Sequence, residues 1–201
     1  MSGNEINPTE LVATLINQEE SFEAGIRRVH AEVDGSCSLL ILTPRGIYAA
    51  RDAVGRTPLV LGRSDGAVCV ASESCALPNV GFAPLRDLGP GEVVLLTPDG
   101  AETVVAPGPR MQVCSFLWVY YGFPASSYEG VNVEEFRYAS GATLARADIA
   151  FDGGYVADAV AGIPDSGTSH AVGYAHESRL PYTRPFRSEE RRVGKECRSR
   201  W

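Results

Sequence analysis

The first third of the chain begins with two segments in which apolar residues recur at helical spacing. Residues 9–16 carry an apolar stripe, and Thr9 can serve as the helix cap. Residues 21–33 repeat the pattern, and Ser21 is the expected N-cap. After residue 33 the helical period ends. The pattern therefore predicts two consecutive helices ahead of a different kind of structure.

A strand-like pattern follows these helices and continues for about seventy residues. Three pairs of short apolar segments enclose turn residues, and each pair predicts a β-hairpin: residues 38–43 with 47–51, residues 59–62 with 67–72, and residues 92–97 with 102–105. Two helices ahead of three hairpins predict a layered α+β domain, with helices packed on an antiparallel sheet.

A second domain is expected after the Pro- and Gly-rich stretch at residues 106–110, which is typical of a boundary. The elements predicted there are an aromatic strand at residues 114–121, a helix at 134–148, an apolar strand within 157–163 and a helix at 168–178. A strand, a turn of small residues and a helix open an α/β unit with a parallel sheet. We therefore predict one domain at residues 1–110 and the start of another at 111–186.

The last fifteen residues, 187–201, differ from all the sequence before them. They contain six basic and three acidic residues and show no helical or strand period. The segment resembles the in-frame translation of a sequencing-library adapter, so we expect it to be foreign and the protein to continue after Phe186 with other sequence. A basic tail that binds an acidic partner is the alternative.

Charge and composition exclude several classes of protein. The formal net charge of -7 argues against a nucleic-acid partner, because surfaces that bind phosphate backbones are usually basic. No apolar run approaches the roughly 18–20 residues that span a bilayer. The first residues lack the pattern of a signal peptide, so the expected location is cytoplasmic.

The residues that could bind metals do not form a metal-site pattern. The five cysteines are an odd number without a CxxC pair, and Cys37 and Cys69 are expected as buried free thiols in strand-like surroundings. His170 and His176 lie six residues apart on one predicted helix and therefore face different directions. No metal site is predicted from these residues.

Four segments, in order and on both sides of the expected boundary, carry a family resemblance. Residues 51–59 (RDAVGRTPL) resemble R-D-x-x-G-x-R-P-L, and residues 71–76 (ASESCA) resemble A-S-E-[ST]-x-A. Residues 86–92 (RDLGPGE) resemble R-D-[VL]-x-P-G-E, and residues 160–166 (VAGIPDS) resemble V-x-G-[VI]-P-[DE]-[ST]. These are motifs of the amidophosphoribosyltransferase family. Each motif is weak alone, but four in the same order are specific.

The resemblance implies a fold and an activity. The fold is α+β and then α/β: the C-terminal part of an N-terminal-nucleophile (αββα) glutaminase domain, followed by the start of a type I phosphoribosyltransferase domain. The first domain would hydrolyse glutamine. The second would add the ammonia to phosphoribosyl pyrophosphate, displacing pyrophosphate with the help of Mg²⁺, and so make phosphoribosylamine for purine biosynthesis. Full-length members form homo-oligomers.

The turn formed by Asp165, Ser166 and Gly167 is the candidate substrate-binding site. A tight turn that leads into a helix presents free backbone N–H groups, which suit an anion such as pyrophosphate. In the family, the equivalent loop lies beside the pyrophosphate part of the site. The alternative is that Asp165 or Ser166 only caps the helix, although capping and binding can coexist.

The first three motifs have structural interpretations. Arg51 is expected at the end of an inner strand, and Gly55 is expected in a backbone conformation that a side chain would obstruct. Asp52 can accept neighbouring backbone N–H groups. The Ser-Glu-Ser sequence at residues 72–74 is expected to cap a short helix, and the Pro-Gly-Glu sequence at 90–92 to form a turn before a strand.

The catalytic groups of the family are not found in this sequence. An N-terminal nucleophile uses its own α-amino group as the base, so an internal residue cannot replace it. Removal of Met1 would expose Ser2, but the polar segment with Asn7 and Pro8 cannot form the buried strand that should follow. Residues 152–154 (DGG) do not replace the acidic phosphoribosyl pyrophosphate signature, because no apolar strand precedes them. We expect no catalytic residue here, and an inactive, truncated piece.

The segment after Cys114 departs from the family pattern. Leu117 occupies an acidic or polar position, and the Arg and Asp of the usual R-P-D-S are absent. This departure indicates a divergent branch and motivates an alternative function, a non-catalytic paralogue that binds nucleotides or regulates. Another glutamine amidotransferase that shares only the first domain is disfavoured by the turn at Asp165. In some members the cysteine that matches Cys114 is one of four iron–sulfur ligands; a buried thiol is the alternative.

Overall fold

The computed structural model describes residues 7–151 and 157–186, which divide into two compact units. Unit 1 consists of Met1–Cys114 and Ser127–Glu129, and unit 2 consists of Ser115–Ser126 and Gly130–Trp201. Three sequence expectations lie outside the described residues: those on Ser2, on residues 152–154 and on residues 187–201.

Unit 1 begins with helices α1 (Pro8–Asn17) and α2 (Phe22–Glu32). The Oδ1 of Asn7 accepts a hydrogen bond of 2.9 Å from the N–H of Thr9, so the prediction that Thr9 caps α1 is wrong. Pro8 fits the first helical turn because it has no N–H to satisfy, and this leaves the capping position to Asn7. The cap of α2 is confirmed, since Ser21 Oγ accepts from the N–H of Ala24 at 3.1 Å.

The strands of unit 1 form two antiparallel sheets. The first has the order β1-β2-β6-β7 and contains β1 (Leu39–Thr43), β2 (Gly46–Ala50), β6 (Val93–Thr97) and β7 (Gly100–Val105). The second has the order β4-β3-β5 and contains β3 (Val60–Ser64), β4 (Ala67–Ala71) and β5 (Ala83–Asp87). All three predicted hairpins are confirmed.

Strand β5 was not predicted, because its residues lack the alternating apolar pattern. Four of its five residues are exposed, and Pro84 has no N–H for the ladder, which is tolerated at the edge of a sheet. A short helix, α3 (Ala76–Asn79), precedes β5. The predicted capping of this helix by residues 72–74 is wrong: its start has no side-chain cap.

The core of unit 1 lies on both faces of the first sheet. On one face, Ile26 of α2 is buried among side chains of the central strands: Tyr48, Ala50, Val93 and Leu95. On the other face, the alternate residues Ala49, Val94 and Leu96 pack with Leu59, Leu61 and Leu88 from the second sheet and its flank. Successive side chains in a strand point to opposite faces, so a strand covered on both sides is apolar throughout. The result is a helix–sheet–sheet arrangement.

Unit 2 is mainly helical. Its elements are a π-helical turn (Leu117–Tyr121), β9 (Val131–Asn132), α4 (Val133–Ala150), β10 (Val160–Ala161), α5 (Gly167–Ser178) and β11 (Tyr182–Thr183); β8 (Ser127–Tyr128) belongs to unit 1. Helices α4 and α5 confirm the predictions, and β10 pairs in parallel with β11. None of the described helices has the length and apolar character needed to cross a membrane.

The predicted aromatic strand at residues 114–121 is wrong. The π-helical turn replaces it, because the buried guanidinium of Arg137 on α4 collects the carbonyl oxygens of this segment. Arg137 donates to the carbonyl oxygens of Trp118 at 2.7 Å, Tyr120 at 2.9 Å and Gly122 at 2.8 Å. An extended strand rises roughly 3.3 Å per residue and would spread these three carbonyls over about 13 Å, beyond the reach of one guanidinium.

Candidate functional site

The turn predicted to bind an anion lies between β10 and the start of α5. Asp165 is exposed, whereas Ser166 and Gly167 are half-buried. Ser166 occupies the N-cap position of the twelve-residue helix, and its side chain makes no capping hydrogen bond. The peptide bond between Pro164 and Asp165 is cis. The Ser166 hydroxyl therefore lies beside the helix start without acting as its cap.

The backbone amides at this turn are partly used within the loop. The N–H of Gly167 donates to the Ile163 carbonyl at 2.9 Å, and the N–H of Thr168 donates to the Asp165 carbonyl at 3.1 Å. An anion at this turn would need other amides, the nearby hydroxyls, or a replacement of these two contacts. The exposed Asp165 carboxylate opposes a bare anion and favours one that carries a cation.

Gly162 determines how closely the strand end approaches the helix. A Cβ at Gly162 would lie 2.7 Å from the carbonyl oxygen of Gly167 and 2.8 Å from the Cα of Thr168. Both distances are shorter than real side chains allow, so glycine is required there. Gly167 is different, because a Cβ at Gly167 would lie 3.7 Å from the Cβ of Ile163, an ordinary contact.

A cavity of about 540 Å³ adjoins this turn within unit 2. The cavity is bounded by α4, α5 and β10, and most of its walls are small or apolar side chains. Its residues at the turn are Gly162, Ile163 and Gly167. Its polar side chains are Ser140, His170 and Tyr174. The cavity and the turn together form a concave site that joins apolar walls to a helix N-terminus.

The two histidines of α5 make separate contacts. His170 Nε2 lies 3.1 Å from the carbonyl oxygen of Val119, and His176 Nδ1 lies against the hydroxyl of Tyr138. Each ring is therefore held by a different element of unit 2.

The first motif of unit 1 forms a hydrogen-bonded turn after β2. The Asp52 carboxylate accepts the backbone N–H groups of Val54 at 3.3 Å, Arg56 at 3.0 Å and Thr57 at 2.8 Å. Burial opposes ionisation of this carboxyl, but these bonds and the hydroxyl of Ser36 outweigh burial and lower the pKa of Asp52. The prediction that Asp52 accepts backbone N–H groups is confirmed.

Arg51 and Gly55 also confirm their predicted roles. Arg51 follows the last residue of β2, an inner strand, and is completely buried. Gly55 has a φ of 68°, which glycine adopts without the cost that a side chain brings. Its carbonyl accepts from the Arg51 guanidinium at 2.6 Å.

The third motif contains a buried carboxylate. Arg86 and Glu92 form a two-point ion pair with distances of 2.9 and 2.6 Å, and Glu92 also accepts the N–H of Gly89 at 2.7 Å. Burial raises the pKa of Glu92, but the bonds from Arg86 and Gly89 outweigh that effect and lower it. The predicted turn at residues 90–92 is therefore present before β6, and the Glu92 side chain closes it by accepting the N–H of Gly89. The sequence predicted the turn but not the ion pair with Arg86.

Cys114 lies in unit 1, half-buried at a cavity of about 400 Å³ that is also lined by Asp34, Arg56 and Gln112. An iron–sulfur cluster needs four protein ligands, usually thiolates. Within residues 7–151 and 157–186, no three His, Cys, Asp or Glu side chains are grouped closely enough to hold a metal ion. The described residues therefore supply no further cluster ligands beside Cys114 and no separate Mg²⁺ cage, so the iron–sulfur assignment of Cys114 stays a prediction.

Arg137 and Glu129 are two charged residues that the sequence interpretation missed. Arg137 recurs at helical spacing with the buried residues Val133 and Gly141 of α4, so an arginine on an apolar face was the available signal. Glu129 lies in a loop without periodicity, and no local pattern indicates its role.

The chain is similar to several amidophosphoribosyltransferases, although no protein-family profile matches it. The protein from Archaeoglobus fulgidus is 33% identical over 175 residues, which cover 87% of this chain and 37% of that relative. The Rhizobium etli protein is 36% identical over 182 residues, covering 87% and 36%. The Mycobacterium tuberculosis protein is 40% identical over 150 residues, covering 75% and 28%. The chain thus spans 28–37% of the length of these curated relatives.

Solved structures give the same result. Glutamine phosphoribosylpyrophosphate amidotransferase from B. subtilis, complexed with ADP and GMP, matches 96% of this chain and 45% of its own, with a TM-score of 0.79 and 28% identity. The structure of the allosteric regulatory enzyme of purine biosynthesis matches with the same TM-score and identity, and covers 96% and 44%. These matches confirm the mixed α and β fold.

Proposed function

The chain belongs to the amidophosphoribosyltransferase family, and we propose that it is a section of an enzyme that makes phosphoribosylamine from phosphoribosyl pyrophosphate and glutamine in purine biosynthesis. The observation that carries this proposal is the similarity over 87% of the chain, which extends through both units. The matched region covers 37% of the A. fulgidus relative. The activity is therefore proposed for the whole protein of which this chain is a section.

We assign residues 1–110 to the C-terminal part of an N-terminal-nucleophile glutaminase domain and residues 111–186 to the start of a type I phosphoribosyltransferase domain. The helix–sheet–sheet order of unit 1 supports the first assignment, because it supplies three of the four layers of an αββα domain. The parallel pair β10–β11 with α5 supports the second.

The turn of Asp165, Ser166 and Gly167 would bind the pyrophosphate group of phosphoribosyl pyrophosphate. The N-terminus of α5 attracts negative charge, and the Ser166 hydroxyl is available to donate. Bound Mg²⁺ would supply charge neutralisation for the leaving pyrophosphate. Asp165 offers one exposed carboxylate, which fits a Mg²⁺ that keeps most of its water and is held mainly by substrate phosphates.

By itself the 201-residue chain is proposed to be inactive. The chain covers 37% of the A. fulgidus relative, which supports this proposal. The parent protein is proposed to act in the cytoplasm and to form a homo-oligomer.

A specific feature favours a second candidate, a non-catalytic paralogue that binds nucleotides or regulates. Leu117 is buried where the family has an acidic or polar residue, and Ala125 and Ser126 stand in the segment where the family has R-P-D-S. A paralogue of this kind would keep the fold of the enzyme but would not catalyse its reaction.

Binding of pyrophosphate with Mg²⁺ to the 201-residue chain, followed by calorimetry, tests the proposed turn. Gly167→Ala should weaken binding by about tenfold, because the new methyl group occupies the approach to the helix start. The melting temperature should be unchanged, because a Cβ there meets only an ordinary contact at 3.7 Å. Gly108→Ala in unit 1 is the matched control and should not affect binding. Equal binding by the wild-type protein and Gly167→Ala, or no binding by the wild type, would contradict this role.

The complete gene distinguishes the enzyme from the paralogue. If the parent protein is the enzyme, the complete gene should encode a mature N-terminal cysteine. It should also encode a later apolar strand that ends in two acidic residues and a Thr- and Gly-rich loop. A complete gene that lacks both features would exclude the enzyme and favour the paralogue.

A further inference from the structure

The tripeptide Ser127–Glu129 belongs to unit 1, although the chain on either side of it belongs to unit 2. Tyr128, at its centre, is only 1% exposed. Ser127–Tyr128 forms the two-residue strand β8, and specific contacts within unit 1 hold the segment in addition to its strand pairing.

Three contacts hold the tripeptide, and each comes from a different sequence motif of unit 1. Ser74 Oγ, of the second motif, accepts the backbone N–H of Ser127 at 2.7 Å. The Arg51 guanidinium, of the first motif, lies 2.7 Å from the Glu129 carboxylate. The Asp87 carboxyl, of the third motif, accepts the backbone N–H of Glu129. Three motifs with separate structural interpretations in the sequence therefore contact one segment.

The Arg51–Glu129 pair is the charged centre of this arrangement. Arg51 is completely buried, and its remaining N–H groups donate to the neutral carbonyls of Thr57, Gly55 and Leu88. Arg51 is buried, whereas the Glu129 side chain is 29% exposed. Removing the Glu129 carboxylate would leave the buried guanidinium with Asp87 beside it but without its paired carboxylate, which is destabilising.

The backbone of Glu129 is fixed by a tight turn. Its φ is 50° and that of Gly130 is 77°, the pair of left-handed conformations that a two-residue turn between strands β8 and β9 requires. The turn positions Glu129, and the ion pair with Arg51 then holds its side chain.

We propose that Arg51, Ser74 and Asp87 form an intramolecular docking site for Ser127–Glu129. The site selects two extended residues, the second a buried aromatic one, followed by an acidic residue in the left-handed conformation. The proposal goes beyond the enzymatic function and holds whether or not the parent protein is catalytic.

Hydrogen exchange of the 201-residue chain, followed by mass spectrometry, tests the docking site directly. Glu129→Gln keeps the size of the side chain and removes its charge, so exchange over residues 127–129 should accelerate at least about tenfold, the factor expected from losing one charge-assisted hydrogen bond. Ser74→Ala should accelerate the same peptide to a smaller extent. Exchange over β6 should accelerate less than exchange over residues 127–129 in both variants, because β6 lies in the core of the first sheet and opens only with the whole unit.

Matched variants separate docking from general destabilisation. Glu135→Gln changes an exposed carboxylate on α4 and should leave the exchange of residues 127–129 unaffected. Glu129→Gly relieves the backbone strain but removes the carboxylate, so it should accelerate exchange as Glu129→Gln does. If Glu129→Gln unfolds the chain, Ser74→Ala decides. Unchanged exchange in Ser74→Ala and Glu129→Gln, or slower exchange in Glu129→Gly than in the wild type, would overturn the proposal.

Discussion

The guanidinium of Arg51 and the carboxylate of Glu129 lie 2.7 Å apart and join the first sequence motif to a loop distant in the chain. Asp87 lies beside this pair as a third charged group. Burial raises the pKa of the Asp87 carboxyl, the Glu129 charge raises it further, and Arg51 only partly counteracts these effects. Two carboxyl groups thus share one buried cation.

Asp87→Asn should stabilise the protein at neutral pH. Folding raises the pKa of Asp87 above its usual value of 3.8. At pH values below 3.8 the carboxyl is protonated in both the folded and the unfolded protein, so its burial costs no ionisation energy. As the pH rises through the raised pKa, folding stability is lost because the folded protein must bury a charged carboxylate. The amide removes this cost while it can still accept the Glu129 N–H. The urea midpoint at pH 7 should rise by the equivalent of about 1 kcal/mol, and the difference should narrow as the pH approaches 4. Asp99→Asn, at an exposed turn, should change little at either pH.

Asp52→Asn should have the opposite effect. Hydrogen bonds from Thr57 and Arg56 lower the pKa of Asp52 despite its burial, so its contribution to stability is present above the usual 3.8 and is lost as pH falls through the lowered pKa. An amide cannot accept all of these N–H groups. We expect a loss of about 2 kcal/mol at pH 7, measured by urea unfolding.

The wild type and Asp52→Asn should converge in stability as acid removes the advantage of the carboxylate. Asp65→Asn, in the exposed turn between β3 and β4, is the control for this comparison. A constant difference between pH 7 and pH 3 would contradict the assignment of Asp52 as an ionised acceptor.

Gly173→Ala should destabilise the packing of α4 on α5. A Cβ at Gly173 would overlap the carbonyl oxygen of Tyr138 on the facing helix, so the two helices would have to separate. We expect a loss of about 1–3 kcal/mol, as for other overpacked sites, visible as a lower melting temperature. Gly167→Ala on the same helix should be neutral. Equal melting of both variants would show that the helices are not in close contact.

Arg137→Lys should weaken the π-helical turn. A guanidinium donates to three carbonyl oxygens at once, whereas an ammonium has a different geometry and is more strongly hydrated. The expected loss is about 2 kcal/mol, with a shift of the indole N–H resonance of Trp118, which donates to the carbonyl of Val131 at 3.0 Å. Arg146→Lys changes an exposed ion pair with Glu177 and should cost less than about 0.5 kcal/mol.

Local patterns predicted most of the secondary structure. The three hairpins, α2, α4 and α5 follow from apolar periodicity and turn residues, because these signals act over a few neighbouring residues. Strand β5 was missed because an exposed edge strand has little apolar pattern. The segment at residues 114–121 was misassigned because its conformation depends on Arg137, which lies outside the segment.

The candidate sites divide in the same way. Asp52 and Gly55 were correctly interpreted, since their contacts lie within the turn that contains them. The turn at Asp165 and Gly167 remains a predicted anion site, and the structure adds that the amides of Gly167 and Thr168 donate within the loop.

The sequence by itself determined the family, the order of elements and the motifs that carry the resemblance, because all of these are local or ordered along the chain. Tertiary structure alone decided that Arg51, Ser74 and Asp87 meet Ser127–Glu129 in space. The physical reason is that a buried charge needs a counter-ion, and the fold can supply that counter-ion from a distant loop without leaving a pattern in the sequence.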